Sequence, residues 1–350
     1  MFLDTSEKKV KMLINEILTA NNGSNIEGTF AVSDITLKPF KQKEGCFLTL
    51  SLQDKTGTIS GMLWDNAEKH TFTEDIFFVK GKASLYTGKN QFSIESYHKV
   101  EKYNIEDFLL VVKDNKDQMW EELKELLRTI SDEQIKMVIG EFVNDESFVS
   151  RFTTCPGGKG RVHHAYLYGL LEHTLSVVKI CKTIAQQYTG VNLDILLAAA
   201  FFHDIGKMDS YKFRITIDMS DIGRLLGHIS IGYHRFMQIA TLNKLDSTKQ
   251  MLIAHAILSH HGELEKGSPI IPMTQEALIL HKADEIDSEF NQSSQLISIA
   301  IENWTDFDNL MDRRFFAEKK EIVKEEEKKQ KNKSKKSRHK LFDYDEQDAV

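Results

Sequence analysis

The apolar residues of this 350-residue chain change their spacing once, near residue 105, from every second position to every third or fourth. These two periods belong to different backbones, so the change divides the chain into a strand-forming part and a helix-forming part. In FLTLSLQDKTGTISGMLW (47–64) apolar positions alternate on both sides of the turn DKTG, which predicts a hairpin. IEGTFAVSDITL (26–37) precedes it, and IFFVKGKASLY (76–86) and NQFSIESYHKV (90–100) follow, joined by Thr87-Gly88-Lys89. The polar stretch 65–75 predicts a short helix or loop between the third and fourth strands. Five strands in so short a segment fit a small closed barrel of the OB type, an all-β domain over residues 25–103. A β-sandwich fragment is the alternative that the pattern leaves.

Helical spacing follows. In MWEELKELLRTI (119–130), Trp120, Leu123, Leu127 and Ile130 recur at intervals of three and four, and Ser131-Asp132-Glu133 supplies an N-cap for a helix through Val143. We expect an N-terminal helix over 1–24, a helical connector over 104–150 and an all-α domain over 151–317. That domain is interrupted at CPGGKG (155–160), at the polar segment 209–224 and at 262–272, with no further strands. Residues 318–350 are expected to form a disordered charged tail: 328–340 hold eight Lys/Arg and no acid, and such a segment has too little apolar surface to offset its ordering entropy.

The formal charge of −7 argues against a protein that coats nucleic acid with its whole surface, though a local basic track remains allowed. Three scattered cysteines, Cys46, Cys155 and Cys181, match no thiolate metal spacing. With an N-terminus that carries acids and no long apolar core, they favour a reducing cytoplasm. No apolar run reaches the roughly 18 residues of a membrane helix.

Ten of the 13 histidines fall between His163 and His281. His173, His203-Asp204, His228, His260-His261 and Asp284 stand at helix ends or among Leu, Ile and Ala, positions that point them inward. A lone inward histidine is usually a satisfied core residue. Seven such groups in one helical domain would leave many buried polar atoms seeking separate partners, and a pair of divalent ions removes that difficulty. The stretch FFHDIGK (201–207) is the sharpest case, since His203 and Asp204 share one ion only from an oblique site at a helix end. Ile205-Gly206-Lys207 predicts that end, with glycine as the left-handed cap and lysine near the negative pole.

This ordered series resembles the HD phosphohydrolase superfamily in its two-metal form. PGGKGRVHHAYLYGLLEHTLSV, FFHDIGK, GRLLGHISIG, LSHHGELEKGSPIIP and EALILHKADEID are closer still to the YhaM-type 3′→5′ exoribonucleases, which join an OB domain to an HD domain. The resemblance spans roughly residues 25–310 and implies that His173, His203, Asp204 and Asp284 hold one ion. Asp204 would bridge to a second ion on His228, His260 and His261. The Gly-Tyr-Pro signature of the cyclic-dinucleotide branch is replaced here by Gly262-Glu263 and Gly267-Ser268-Pro269.

The resemblance also implies an activity: metal-dependent hydrolysis of phosphodiester bonds in single-stranded RNA, with single-stranded DNA as a further substrate, through a metal-activated water oriented by Asp204. Manganese is the first choice of cofactor, with Co, Fe, Ni or Zn as alternatives. Lys207 is expected on a phosphate oxygen. Arg161, His163 and His164 are expected to clamp the phosphate or protonate the leaving 3′-oxygen. On the barrel, Phe40, Trp64 and Tyr86 are candidates for base stacking, and Lys41, Lys82 and Lys89 for the backbone. Residues 25–100 carry nine lysines against nine acids, so binding there rests on local placement. The sequence leaves a homo-oligomer open. The rival reading is an HD phosphohydrolase of a small nucleotide, with the barrel regulatory.

Overall fold

A computed structural model describes residues 12–40, 43–86, 89–109, 111–112, 114–160, 162–213, 217–300 and 303–318. The expected tail beyond 318, and residues 1–11 of the expected N-terminal helix, lie outside the described residues. Of that helix the described part contains one turn, α1 (Ile14–Ile17), whose first N–H is capped at 2.7 Å by the buried carboxylate of Asp54.

Strands β1 (Asn25–Pro39), β2 (Cys46–Asp54), β3 (Gly57–Leu63), β4 (Ile76–Tyr86) and β5 (Lys89–Lys99) close into a barrel of order β1-β2-β3-β5-β4. β1 is long enough to pair antiparallel with β2 through one half and with β4 through the other, and β3 runs parallel to β5. This is the OB topology. Alternation works as the sequence requires: Leu48, Leu50 and Leu52 point in, while Phe47, Thr49, Ser51 and Gln53 point out. Phe30 and Phe92 meet edge to face in the core.

The chain after the barrel is mainly helical: α2 (Lys116–Arg128), α3 (Glu133–Val143), α4 (Glu146–Thr154), α5 (Gly169–Ala185), α6 (Leu193–Phe202), α7 (Lys207–Ser210), α8 (Asp221–Leu242), α9 (Ser247–Ser259) and α10 (Gln275–Ile299). The cap at Asp132 accepts from the Gln134 and Ile135 amides, and Asn115 and Asp145 cap α2 and α4 likewise. Helix α6 is apolar on all sides, and every residue from Ile195 to Phe202 is buried among its helical neighbours. Burial of side chains such as Leu196, Phe201 and Phe202 stabilises the unit by roughly 1.5–3 kcal/mol each. The helix that delivers His203 and Asp204 is therefore the axis of the core. Asp107, Phe108 and Val112 tie the barrel to this helical part. The Asp107 carbonyl accepts from the Lys55 amide (3.0 Å), that of Phe108 from the Gln53 side chain (3.0 Å), and Val112 donates to Leu167 (3.3 Å).

Three expectations need correction. The segment 209–224 contains a two-stranded hairpin, β6 (Tyr211–Phe213) and β7 (Ile217–Met219), in a region read as strand-free. Helix does not continue to 317: α10 ends at Ile299. The described residues of a second compact unit, from Ser293 on, carry isolated bridges pairing Trp304 with Phe316 and Asp308 with Arg313. Gly206 is not a left-handed cap. Its φ is −67°, and a Cβ there would lie 2.0 Å from the His228 carbonyl oxygen. The missing side chain lets α8 close on the turn after α6.

Candidate metal centre and nucleic-acid face

The chemistry of the helix ends explains the histidines. His203 is the C-cap of α6 and His260 the C-cap of α9, and each ring donates Nδ1–H to the carbonyl three residues back: Ala200 at 2.7 Å and Ile257 at 2.7 Å. A terminal carbonyl lacking a helical partner is satisfied, and the tautomer is fixed with a bare Nε2. His261 does the same with the Lys266 carbonyl (3.0 Å), and His173 with the Asp287 carboxylate (2.6 Å). Four imidazoles thus turn Nε2 toward the site, as a lone pair wherever the ring is neutral.

Those nitrogens converge on acceptors. His173 Nε2 lies 3.1 Å from His203 Nε2, 3.1 Å from Asp284 Oδ1 and 3.3 Å from Asp204 Oδ2. On the other side, Asp204 Oδ1 lies 3.3 Å from His228 Nε2 and 3.7 Å from His260 Nε2. His228, His260 and His261 form one compact ligand set, and His173, His203 and Asp204 another. Asp204 turns one oxygen to each. Asp204 Oδ1, His228 Nε2 and His260 Nε2 are buried without a hydrogen-bond partner. His260 Nε2 and Asp204 Oδ1 are both acceptors, and facing each other in a buried site is a costly arrangement that a cation between them relieves, so the donor set fits a divalent metal.

The electrostatics agree. Burial pushes His228 down to about 3 and His260 well below its ordinary range, so both are neutral donors. Burial resists ionisation of Asp204, but Lys207, His203 and His173 outweigh it and hold the carboxyl well below the usual value. At His173 burial is likewise overridden, by Asp204, Asp284 and Asp287, and the ring is driven upward. That demand for positive charge is one a bound cation would also meet.

The expected phosphate contacts fare differently. Lys207 Nζ lies 2.7 Å from Asp204 Oδ2 in a side chain only 7% exposed, so the carboxylate takes one of its three N–H donors. His164 is buried, and both its ring nitrogens face carboxylates, Glu172 and Asp287, each at 2.8 Å. Both nitrogens are thus engaged within the protein. His163 lies beside His173, and its Nε2 meets Ser288 Oγ at 3.2 Å. Burial, with Lys207 and His173, lowers it to about 2, which makes it a poor proton donor. Arg161 and Lys41 lie outside the described residues, as do the side chains of Tyr86 and Lys89. Sequence reasoning missed Asp287, Glu172, Tyr166 and Asn291. Spacing offered one signal: Asp287 is three residues past Asp284, hence on the same helix face.

On the barrel, Phe40, Phe47 and Trp64 form one aromatic group. The Trp64 ring is stacked 5.1 Å from Phe47 and 6.3 Å from Phe40, and Lys43 sits 4.0 Å over the Phe40 ring. Trp64 is 41% exposed. Lys82 is elsewhere, opposite Asn25 at the far end of β1, and pairs with Glu95 at 3.3 Å. From the aromatic group the outward residues Thr49, Ser51 and Gln53 lead along β2 to a cleft of about 1210 Å³. Ser33, Ser51, Gln53 and Thr58 line it from the barrel, and Lys159, Tyr211, Lys212 and Arg224 from the helical part.

Residues 170–289 match the HD domain family. The chain is 32% identical over 257 residues to the 3′-5′ exoribonuclease YhaM of Bacillus subtilis, covering 72% of this chain and 81% of the relative. The chain belongs to the YhaM family. To the YhaM of Geobacillus sp. it is 32% identical over 251 residues, covering 70% of this chain and 76% of the relative, and to that of Bacillus velezensis 30% over 273 residues, with 76% and 86% covered. Among solved structures, the second OB-fold domain of replication protein A from Methanococcus maripaludis is 24% identical, with a TM-score of 0.21, covering 24% of this chain and 90% of that one. As a member of the YhaM family the chain is an enzyme, a nuclease. Among the described residues no helix is long and apolar enough to cross a membrane.

Proposed function

We propose that this nuclease is a metal-dependent 3′→5′ exoribonuclease that hydrolyses single-stranded RNA, and single-stranded DNA as well, with two divalent ions at the shared carboxylate. One observation carries the reading: four histidines converge on Asp204, His173 and His203 at one carboxylate oxygen and His228 and His260 at the other, so that it faces two separate ligand sets. A divalent cation held there supplies Lewis acidity and a nucleophilic water at neutral pH. The chain's own residues do the rest. His173, His203, Asp204 and Asp284 would hold one ion, and His228, His260 and His261 with Asp204 the other. Lys207 keeps Asp204 ionised and oriented. Manganese suits the mixed imidazole and carboxylate set, as do Co, Fe, Ni and Zn.

The division of labour follows the domains proposed from sequence, with strand binding over 25–103, a connector over 104–150 and hydrolysis over 151–317. The aromatic group Phe40, Phe47 and Trp64 would stack bases, and the polar row Thr49, Ser51 and Gln53 would lead the 3′ end into the cleft beside Lys212. An RNA-degrading enzyme of this kind acts in the cytoplasm.

The test uses purified protein with 5′-labelled single-stranded RNA, Mn²⁺ and a chelator control. Stepwise shortening from the 3′ end, abolished by chelator, is the expected result. Untouched RNA with hydrolysed mononucleotides would favour instead the small-nucleotide phosphohydrolase with a regulatory barrel.

A further inference from the structure

Behind His173, on the side away from the ligand sets, lies a buried polar network for which the reaction has no direct use. Asp287 Oδ2 accepts from His173 Nδ1 at 2.6 Å and meets His164 Nε2 at 2.8 Å. Glu172 holds the other nitrogen of His164, and Asn291 accepts from the His164 backbone amide at 2.9 Å. Helix α5, the loop before it and α10 are thereby joined at one imidazole.

The loop is built for this contact. His164 adopts φ +52°, a left-handed conformation that a histidine rarely takes and that costs of order 1–3 kcal/mol. Gly157 and Gly169 make room for it: a Cβ on Gly169 would lie 2.2 Å from the His164 carbonyl oxygen, and one on Gly157 2.6 Å from the His164 Cβ. Strain of that size persists only where the surroundings over-determine it. Here they aim one ring nitrogen at Asp287.

We propose that Asp287, held by His164, is a positioning residue that fixes the tautomer and basicity of His173 and so sets the affinity of the site for its divalent cation. A carboxylate on Nδ1–H keeps the lone pair on Nε2, where Asp204, Asp284 and His203 meet, and enriches that nitrogen as a donor. The inference rests on the metal-centre reading above and assigns to the HH of VHHAYLY a purpose other than substrate contact. The first histidine faces the site and the second braces it from behind.

The experiment measures Mn²⁺ affinity of the metal-stripped full chain by competition with a chelating dye, alongside turnover of RNA against Mn²⁺ concentration. Asp287→Asn should weaken Mn²⁺ binding roughly 10–100-fold, with activity lost at limiting Mn²⁺ and recovered as Mn²⁺ is raised. His164→Gln, which leaves the Asp287–His173 bond in place, should weaken it in the same direction by a smaller factor. A Mn²⁺ affinity within twofold of the parent in both variants would overturn the proposal, as would lost activity that added Mn²⁺ does not restore. Should Asp287→Asn fail to fold, His164→Gln alone carries the comparison under the same criterion. A parent protein that binds no Mn²⁺ would instead sink the metal-centre reading itself.

Discussion

Gly206→Ala tests whether the second ligand set is held by backbone approach. The added Cβ would stand 2.0 Å from the His228 carbonyl oxygen and 2.6 Å from the Gly232 amide nitrogen, where ordinary contact begins near 3.4 Å. Both are backbone atoms of α8, so no side-chain rotation relieves the clash. The helix must withdraw by about 1 Å or more, and it carries His228 with it. Metal–ligand distances tolerate only about ±0.2 Å, so this histidine leaves the set. Overpacking costs about 1–3 kcal/mol, partly offset by about 0.4–1 kcal/mol from a less flexible unfolded chain. The melting midpoint should therefore fall by a few degrees. A second glycine supplies the contrast. Gly140 lies in α3, and a Cβ added there would meet only the Asn144 side-chain Nδ2, at 3.6 Å, so Gly140→Ala should stabilise by up to about 1 kcal/mol through helix propensity. Calorimetry and elemental analysis after desalting would report both effects. A Gly206→Ala protein that melts no lower than the parent and retains its full metal content would refute this reasoning.

Asp204→Ala should abolish nuclease activity and deplete bound metal from both sets while far-UV circular dichroism is retained; wild-type turnover would remove Asp204 from the mechanism. Trp64→Ala should weaken binding of a single-stranded oligonucleotide by about 1–3 kcal/mol, roughly 5- to 150-fold, as read by anisotropy; unchanged affinity would show that the strand takes another face. Acidification of the metal-free protein should cost stability below about pH 6.5. His228 (about 3), His163 (about 2) and His260 are all lowered in the folded state by burial. The unfolded chain therefore binds more protons as pH falls from about 6.5 toward 3, and the contribution of these groups, complete above that range, is lost through it. His173 is shifted upward, so its smaller contribution runs the other way, complete below about pH 6.5 and lost as pH rises through its folded value. Urea melts at pH 7 and pH 5 in the presence of chelator would check this, and equal stabilities would contradict it.

Much of the architecture is legible in the sequence because it rests on local chemistry. Alternation around DKTG specifies the β2–β3 hairpin, and Asp132 announces the start of α3 through a bond to amides two and three residues away. His203 and His260 stand out because a polar ring at the end of an apolar helix demands a reason. What stayed hidden depends on neighbours distant in the chain. Gly206 reads as a cap until α8 is known to lie against it. Strands β6 and β7 have three residues each, too few to show a period. Asp287 sits in EIDSEF, which reads as a solvated face until the position of His164 across from it is known. Lys207 looks like a free cation in sequence, and only the fold folds it back onto Asp204.

The divided allegiance of Asp204 has a consequence for loading. If two dications load as proposed, one negative charge cannot fully serve both, so whichever ion arrived first would take the larger share and leave the later one a poorer partner. Such coupling is reciprocal, since each ion lowers the other's affinity by the same factor. Titration of the stripped protein should therefore proceed in two separated stages, with a half-filled species in between. Turnover would then follow the weaker of the two occupancies, making the enzyme a graded reporter of how much free divalent ion the surrounding medium can spare.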